Sequence, residues 1–117
     1  MSRPTKCKKV CQIPKRHEYF PSGEWTEEIV VMSIDEYEAI RLIDMEGFSQ
    51  ETAAEYMQVA RTTVQQIYHS ARKKLATMLV HGAGLRIYGG DYRLCDGKEE
   101  TCDCGGCAKH RGEDKIP

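Results

Sequence analysis

The feature that most constrains the fold is an apolar stripe between residues 61 and 80. Apolar side chains recur there at steps of three and four residues, at Val64, Ile67, Ala71, Leu75 and Met78. This spacing places them on one face of an α-helix. Gly82 and Gly84 follow the stripe and are placed to end that helix. The pattern therefore predicts a helix over about 61–80 with one face in a core.

Two shorter helices are predicted before it. Ser33 can cap a helix that has acidic residues in its first turn, and Gly47 is placed to end that helix. Ser49 caps a second helix that runs through Met57, and residues 58–60 form a brief turn before the long helix. Two helices joined by a turn of three or four residues make up a helix-turn-helix unit.

The side chains on the inside of this pair suit a helix-turn-helix. A small residue in the first helix allows the second to cross closely, and apolar residues in both helices can lock the pair together. The residues in question are Ala53, Ala54, Met57, Val59, Val64 and Ile67. Two positions depart from the motif. Gln58 stands where a glycine is common, and Ala60 is a poor N-cap.

Two further segments favour β-structure. Residues 28–32, EIVVM, suit a strand or a packed lead-in to the first helix, and LRIYGGDYRL (85–94) has two β-prone segments around Gly89 and Gly90. The glycine pair predicts a β-hairpin. That hairpin could pair with 28–32 or, through its edge strand, with a second copy of the chain. The predicted fold class is mainly α: a three-helix helix-turn-helix domain with a short β-hairpin after the long helix and a poorly ordered cysteine-containing tail.

The predicted organisation has a basic N-terminal arm (1–27), the helix-turn-helix domain with its C-terminal hairpin (28–94) and a Cys-rich flexible tail (95–117). The formal net charge of −1 hides an uneven distribution. Residues 1–17 carry six Lys or Arg and no acid, 18–57 carry eleven acids and one base, and 58–94 carry six bases and one acid. Basic zones can contact phosphate whatever the net charge is.

Enzymatic chemistry is not expected. No nucleophile–base pair, phosphate loop or paired-carboxylate arrangement stands out in the sequence. The many Asp and Glu residues of 18–57 are expected to lie on solvated helix faces. With no signal peptide and no run long enough to span a bilayer, the chain is expected to be cytoplasmic and to have no membrane partner.

Polar side chains occupy the long helix opposite its apolar stripe. In a helix-turn-helix, the first turns of the second helix enter the major groove, where Arg and Gln can pair with base edges. Basic residues further along suit phosphates. The candidate DNA-binding residues are Arg61, Thr62, Thr63, Gln65, Gln66, His69, Arg72 and Lys73. The expected partner is double-stranded DNA, and a homodimer would present two such helices to successive grooves.

Four potential metal ligands lie within nine residues near the C-terminus: Cys102, Cys104, Cys107 and His110. Thiolates this close can wrap one soft metal, and the two glycines between them permit a tight turn. Zinc and an iron–sulfur cluster are the two alternatives, with Cys95, Cys7 and Cys11 as further candidate ligands. A flexible tail whose thiols bind nothing is the third alternative.

The segment DEYEAIRLIDMEGFSQETAAEYMQVARTTVQQIYHSARKKLA, the following LRIYGGDYRL and the opening RPTKCKKVC resemble the domain of unknown function 134 family. The resemblance covers residues 3 to about 97. It implies a helix-turn-helix like that of sigma-factor region 4 and hence DNA binding. The predicted function is a sequence-specific DNA-binding transcriptional regulator, modulated by metal or redox state through the cysteines. The alternative is a metal-handling or protein-interaction module in which the helix pair is a scaffold.

Overall fold

The computed structural model describes residues 8–95, which form three α-helices and five short strands. The helices are α1 (Ile34–Ile40), α2 (Gln50–Met57) and α3 (Arg61–His81), and a π-helical turn, Arg41–Met45, continues α1. The strands are β1 (Lys8–Val10), β2 (Glu18–Tyr19), β3 (Ile29–Met32), β4 (Gly84–Ile87) and β5 (Tyr92–Leu94). The three helices predicted from the sequence are confirmed, whereas the π-helical turn was not predicted.

Local capping signals set the helix starts. Ser33 and Glu36 form a complete capping box at α1, with the Ser33 N–H donating to Glu36 Oε1 at 2.9 Å. The Ser49 hydroxyl accepts the Thr52 N–H at 3.0 Å and so caps α2. At the other end of the long helix, Gly82 takes a left-handed conformation with φ of 67° and ends α3.

The strands form two small sheets. In one, β1 pairs with β5 in parallel; in the other, β4 lies between an antiparallel β2 and a parallel β3. The pairing of segment 28–32 with the first part of 85–94 within one chain is therefore the arrangement found. The segment from Lys8 to Val10, part of the predicted basic arm, is a strand whose Val10 side chain is fully buried.

The predicted β-hairpin is wrong, because β4 and β5 belong to different sheets. Gly89 and Gly90, which lie between these strands, allow the backbone to approach the start of α1 closely. The Gly89 carbonyl accepts the Ile34 N–H at 2.9 Å, and a Cβ on Gly90 would lie 2.4 Å from the Asp35 carboxylate. These contacts hold the segment against the start of α1, and β5 therefore pairs with β1 instead of folding back on β4.

The core has two apolar clusters, and α3 contributes to both. The first joins the end of α1, the inner face of α2 and the start of α3 around Leu42, Met57 and Val64, which are fully buried. The second lies between α3 at Ala71 and the three-stranded sheet at Leu85 and Ile87. All six residues predicted to lock the helix pair lie in or against the first cluster: Ala53, Ala54, Met57, Val59, Val64 and Ile67.

The acidic residues at the start of α1 are buried, so the expectation that the acids of 18–57 face solvent is wrong for three of them. Asp35, Glu36 and Glu38 are 6%, 7% and 1% exposed. Each lies next to a cation: Lys8 for Asp35, Lys74 for Glu36 and Arg41 for Glu38. Charge pairing and hydrogen bonds replace the hydration of Glu36 and Glu38. Among the described residues, the buried Asp35 Oδ1 has no hydrogen-bond partner.

Glu38 and Arg41 form a buried ion pair at the centre of the fold. Arg41 donates from Nε and Nη2 to the two Glu38 oxygens at 2.9 and 2.7 Å. Glu38 Oε2 also accepts the Cys11 N–H at 3.1 Å, and Arg41 Nη1 lies 3.6 Å from Glu46 Oε2. One carboxylate thus connects α1, the π-helical turn and the residue that follows β1.

Gln58 makes the turn between α2 and α3. Its backbone is left-handed, with φ of 60° and ψ of 46°, a conformation that costs most residues free energy and favours glycine. The Gln58 side chain offsets part of that cost, because its Oε1 accepts a hydrogen bond from Arg93 Nη2 of β5. This contact explains how a glutamine is accommodated where a glycine is common.

Substitutions at Gln58 should separate backbone strain from side-chain contact. Gln58→Val places a β-branched residue in the left-handed region and should lower the free energy of unfolding by about 1–2 kcal/mol. Gln58→Gly should change it by less than about 1 kcal/mol, since relief of strain opposes the lost Arg93 contact and the greater freedom of the unfolded chain. Urea denaturation measures both variants, with Gln65→Val on α3 as the control. A glycine variant less stable than the valine variant would contradict this account.

Arg41→Met should lower the free energy of unfolding by about 3–5 kcal/mol, because it leaves the Glu38 carboxylate buried without its cation. The double variant Glu38→Gln, Arg41→Met should regain part of the loss, since no uncompensated charge remains. Arg72→Met, at an exposed arginine of α3, is the matched control for size and charge. Equal destabilisation by the Arg41 and Arg72 variants would refute a central role for the buried pair.

Candidate nucleic-acid interface

The predicted polar face of α3 is exposed and continuous. Seven of the eight candidate DNA-binding side chains are exposed, and the eighth, Thr63, is half-buried at the edge of the face. The exposed seven are Arg61, Thr62, Gln65, Gln66, His69, Arg72 and Lys73. The opposite face packs on both core clusters through Val64 and Ala71, which are fully buried. Helix α3 therefore divides into a face that holds the fold together and a face that the fold leaves uncovered.

The start of α3 has no side-chain cap. Ala60 occupies the N-cap position without a side-chain oxygen, and the first turn contains no acid. The Thr63 and Val64 N–H groups bind the Ala60 carbonyl at 3.0 and 3.2 Å, while Ala60 and Arg61 are exposed. The positive end of the helix dipole and the positive charge of the Arg61 guanidinium thus lie together at one exposed site. This arrangement is electrostatically unfavourable unless an anion binds there.

An open groove of about 520 Å³ runs beside this face. It is lined by Gln50 at the start of α2 and, from α3, by Gln65, Tyr68, His69, Arg72, Lys73 and Ala76. Four candidate residues from the sequence, Gln65, His69, Arg72 and Lys73, therefore share one concave surface with hydrogen-bond donors along it. Gln50 and Tyr68 belong to the same surface and were not predicted.

Arg72 is held by residues that the sequence analysis missed. Its Nη1 donates to the Tyr68 hydroxyl at 2.5 Å and lies 3.6 Å from Asp44 Oδ1, while Tyr68 donates to the same Asp44 oxygen at 2.8 Å. The hydrogen bond to Tyr68, and then the charge of Asp44, raise the pKa of Arg72. The spacing of Tyr68 and Arg72, four residues apart on a helix, could have predicted their contact. Asp44 could not have been found, because the π-helical turn determines where it lies.

Glu36 fixes the middle of α3 to the start of α1. Its two oxygens accept from Ser70 Oγ at 2.6 Å and Lys74 Nζ at 2.8 Å, besides the capping-box N–H of Ser33. Burial raises the pKa of Glu36, but the hydrogen bonds from Lys74, Ser70 and Ser33 together with the Lys74 charge outweigh it, so the pKa lies below its ordinary value of 4.5. The ionised form of Glu36 therefore stabilises the packing of α3 against the start of α1.

The candidate metal ligands fall largely outside the described residues. Cys7, Cys102, Cys104, Cys107 and His110 lie beyond residues 8–95, whereas Cys95 is buried and Cys11 is half-buried against the first core cluster. Within residues 8–95, no three His, Cys, Asp or Glu side chains are grouped so that they could hold a metal ion. Over the same residues, none of the helices has the length and apolar character needed to cross a membrane.

The fold and the exposed face define a small, mainly α domain with one long helix that is partly uncovered. The chain belongs to the DUF134 family, described as a protein of unknown function, whose model matches residues 1–95. A UPF0251 protein of Desulfitobacterium hafniense (strain Y51) is 53% identical over 115 residues, covering 95% of this chain and 90% of that protein.

Two further relatives are also UPF0251 proteins. The one from Caldicellulosiruptor saccharolyticus is 49% identical, covering 79% of this chain and 66% of its own length. The one from Clostridium novyi (strain NT) is 43% identical, covering 89% of this chain and 72% of its own length. No solved structure matches the chain.

Removal of the Glu36 charge should make the free energy of unfolding depend less on pH under acidic conditions. The pKa of Glu36 is lowered in the folded protein. The contribution of Glu36 to the free energy of unfolding is therefore fully present above pH 4.5 and is lost as the pH falls through the pKa of the folded state. Glu36→Gln should be less stable than wild type at pH 7 and should lose less stability on acidification. Lys74→Met, which removes the main donor, should raise the pKa of Glu36 in the folded protein and should therefore reduce the loss of stability on acidification. Parallel profiles for wild type and Glu36→Gln in urea denaturation would contradict this.

Proposed function

We propose that this protein is a sequence-specific DNA-binding protein that acts as a transcriptional regulator, with α2 and α3 as a helix-turn-helix and α3 as its recognition helix. The observation that carries the proposal is the uncovered polar face of α3. Arginine and glutamine side chains that pair with base edges lie on it at Arg61, Gln65 and Gln66, all exposed. A helix of ordinary diameter fits the major groove of B-DNA.

The unfavourable start of α3 supports an anionic partner. A cation in the first turn of a helix opposes the dipole, and an uncapped helix start leaves N–H groups for a ligand. Arg61 follows Ala60 at such a start. A DNA phosphate or a base-edge acceptor would interact at once with the N–H groups at the helix start and with the Arg61 guanidinium. Folding stability alone favours an acid or a capping side chain at the start of a helix.

Residues that line the groove would contact the DNA phosphates in the proposed complex. His69, Arg72 and Lys73 line one side of it, and phosphate contacts position a protein on a duplex without reading sequence. The exposed pairing of Arg72 with Asp44 is weak enough to exchange for a phosphate. Asp44 then serves to orient Arg72 before DNA binds.

The acidic net charge does not oppose this proposal. The buried carboxylates of α1 are paired with Lys8, Lys74 and Arg41 inside the fold. The exposed seven residues of the α3 face include three cations and no acid. The field at that face is therefore set by these cations and by Asp44, which lies 3.6 Å from Arg72, and steering of DNA depends on this local field.

Selection from randomised duplexes, followed by fluorescence anisotropy, tests the proposal. A selected site should bind with an affinity that falls steeply as salt rises. Arg61→Ala and Gln65→Ala should each raise Kd about 5- to 150-fold, the equivalent of about 1–3 kcal/mol for one paired base contact. Two half-sites about 10 base pairs apart would indicate binding as a homodimer.

Arg86→Ala is the matched control, because it removes the same charge from β4 and leaves α3 intact. It should leave sequence preference unchanged. Circular dichroism of each variant checks that the helices are retained. The proposal fails if no duplex binds in a salt-sensitive manner, or if the Arg61 and Gln65 variants bind the selected site as tightly as wild type does.

A further inference from the structure

The pairing of β1 with β5 brings together two cysteines that lie far apart in the sequence. The register places Val10 opposite Leu94, and Cys11 and Cys95 are the next residues in each chain segment. The Cys95 N–H donates to the Val10 carbonyl at 2.8 Å, so main-chain pairing reaches Cys95. Continuing the register by one residue places Cys11 opposite Cys95.

The two side chains share one environment. Cys95 is 4% exposed within the first core cluster, and Cys11 packs against that cluster. The backbone of Cys11 is held in place by its hydrogen bond to Glu38 Oε2 at 3.1 Å. Neighbouring strands lie about 4.8 Å apart, which falls within the range of about 4.4–6.8 Å between the Cα atoms of a disulfide. The strand pairing therefore places the two Cα atoms at a separation that a disulfide can span.

The difference in exposure assigns different roles to the two thiols. Cys11 is half-buried and can be reached from solvent, whereas Cys95 is covered by the core. Attack on an external oxidant requires an accessible thiolate, and closure of an internal disulfide requires a second thiol close by.

We propose that Cys11 and Cys95 are a thiol–disulfide modification site whose oxidant is a small disulfide of the glutathione class. The Cys11 thiolate attacks one sulfur of the oxidant, forms a mixed disulfide and releases one small thiolate. The Cys95 thiolate then attacks Cys11 Sγ, forms the Cys11–Cys95 bond and releases the second small thiolate. The protein loses two protons and two electrons, and one oxidant disulfide becomes two thiols.

Peptide mapping can assign the bond without any substitution, because trypsin separates the relevant cysteines. Cleavage after Lys and Arg leaves Cys11 in the peptide 10–15 and Cys95 in the peptide 94–98. Cys7 falls in 7–8, and the three tail cysteines fall together in 99–109. The folded full-length protein is equilibrated with oxidised and reduced glutathione at a series of ratios. Remaining thiols are then alkylated, and the digest is analysed by mass spectrometry.

The expected result is a cross-linked 10–15/94–98 peptide that is the most abundant internal disulfide of the oxidised protein and is lost on reduction. Oxidation should raise Tm by about 4–8 °C or more, because the bond closes a long loop of the chain. The Cys11→Ser variant should lack this shift. The triple variant Cys102→Ser, Cys104→Ser, Cys107→Ser should keep it.

Two results would overturn the proposal. In one, Cys11 and Cys95 both carry the alkyl label after equilibration with oxidised glutathione. In the other, the cross-linked peptides join Cys95 or Cys11 to Cys7 or to the tail peptide in preference to each other. Because the mapping uses the wild-type protein, either result counts against the site even if Cys11→Ser does not fold.

Discussion

The buried carboxylate of Glu38 is the interaction on which the other contacts depend. It is 1% exposed, and it binds Arg41 through both oxygens and the Cys11 backbone through one. Arg41 opens the π-helical turn, and Cys11 follows β1. A charged pair in a low-dielectric interior is stable only when its geometry is good and its remaining hydrogen bonds are made. The Glu38–Arg41 pair therefore helps to hold the N-terminal strand against the helices, together with the Lys8–Asp35 ion pair and the buried Val10 side chain.

The same logic explains how an acidic chain can present a basic face. At the start of α1 the carboxylates are turned inward and paired, and Glu36 in particular takes Ser70 and Lys74 from α3 as partners. The buried acids thus stabilise α3 from its packed side, and none of the seven exposed candidate side chains on its polar face is acidic. The fold thus uses these acids as internal anchors instead of surface charges.

Much of this structure follows from local sequence signals, and the parts that do not are long-range. The caps at Ser33 and Ser49, the end of α3 at Gly82 and the division of α3 into two faces depend on residues within a few positions of each other. All of them could be predicted. The hairpin could not be excluded from the sequence, because the choice between β4 and β1 as the partner of β5 depends on how Gly89 and Gly90 pack beneath α1.

The missed parts of the candidate interface have the same origin. Gln50 and Asp44 meet the predicted residues because α2 and the π-helical turn pack against α3, whereas Tyr68 lies on α3 itself. The burial of Glu36 likewise depends on Lys74 of another helix. The contact between Glu38 and Arg41, three residues apart, could have been predicted from helical spacing. Side chains selected by spacing on one helix were placed correctly on its surface. Their partners on other elements required the folded chain.

The parallel pairing of β1 with β5 has a consequence for the order of events during protein synthesis. Lys8 is translated before the three helices, and its partner Tyr92 is translated after all of them. The helices depend on local contacts and can form on the nascent chain, but β1 has no strand to pair with until β5 emerges. During that interval Val10, which is fully buried in the finished fold, is available to other proteins. Although β1 is translated before the helices, it is thus fixed in place only after β5 has emerged.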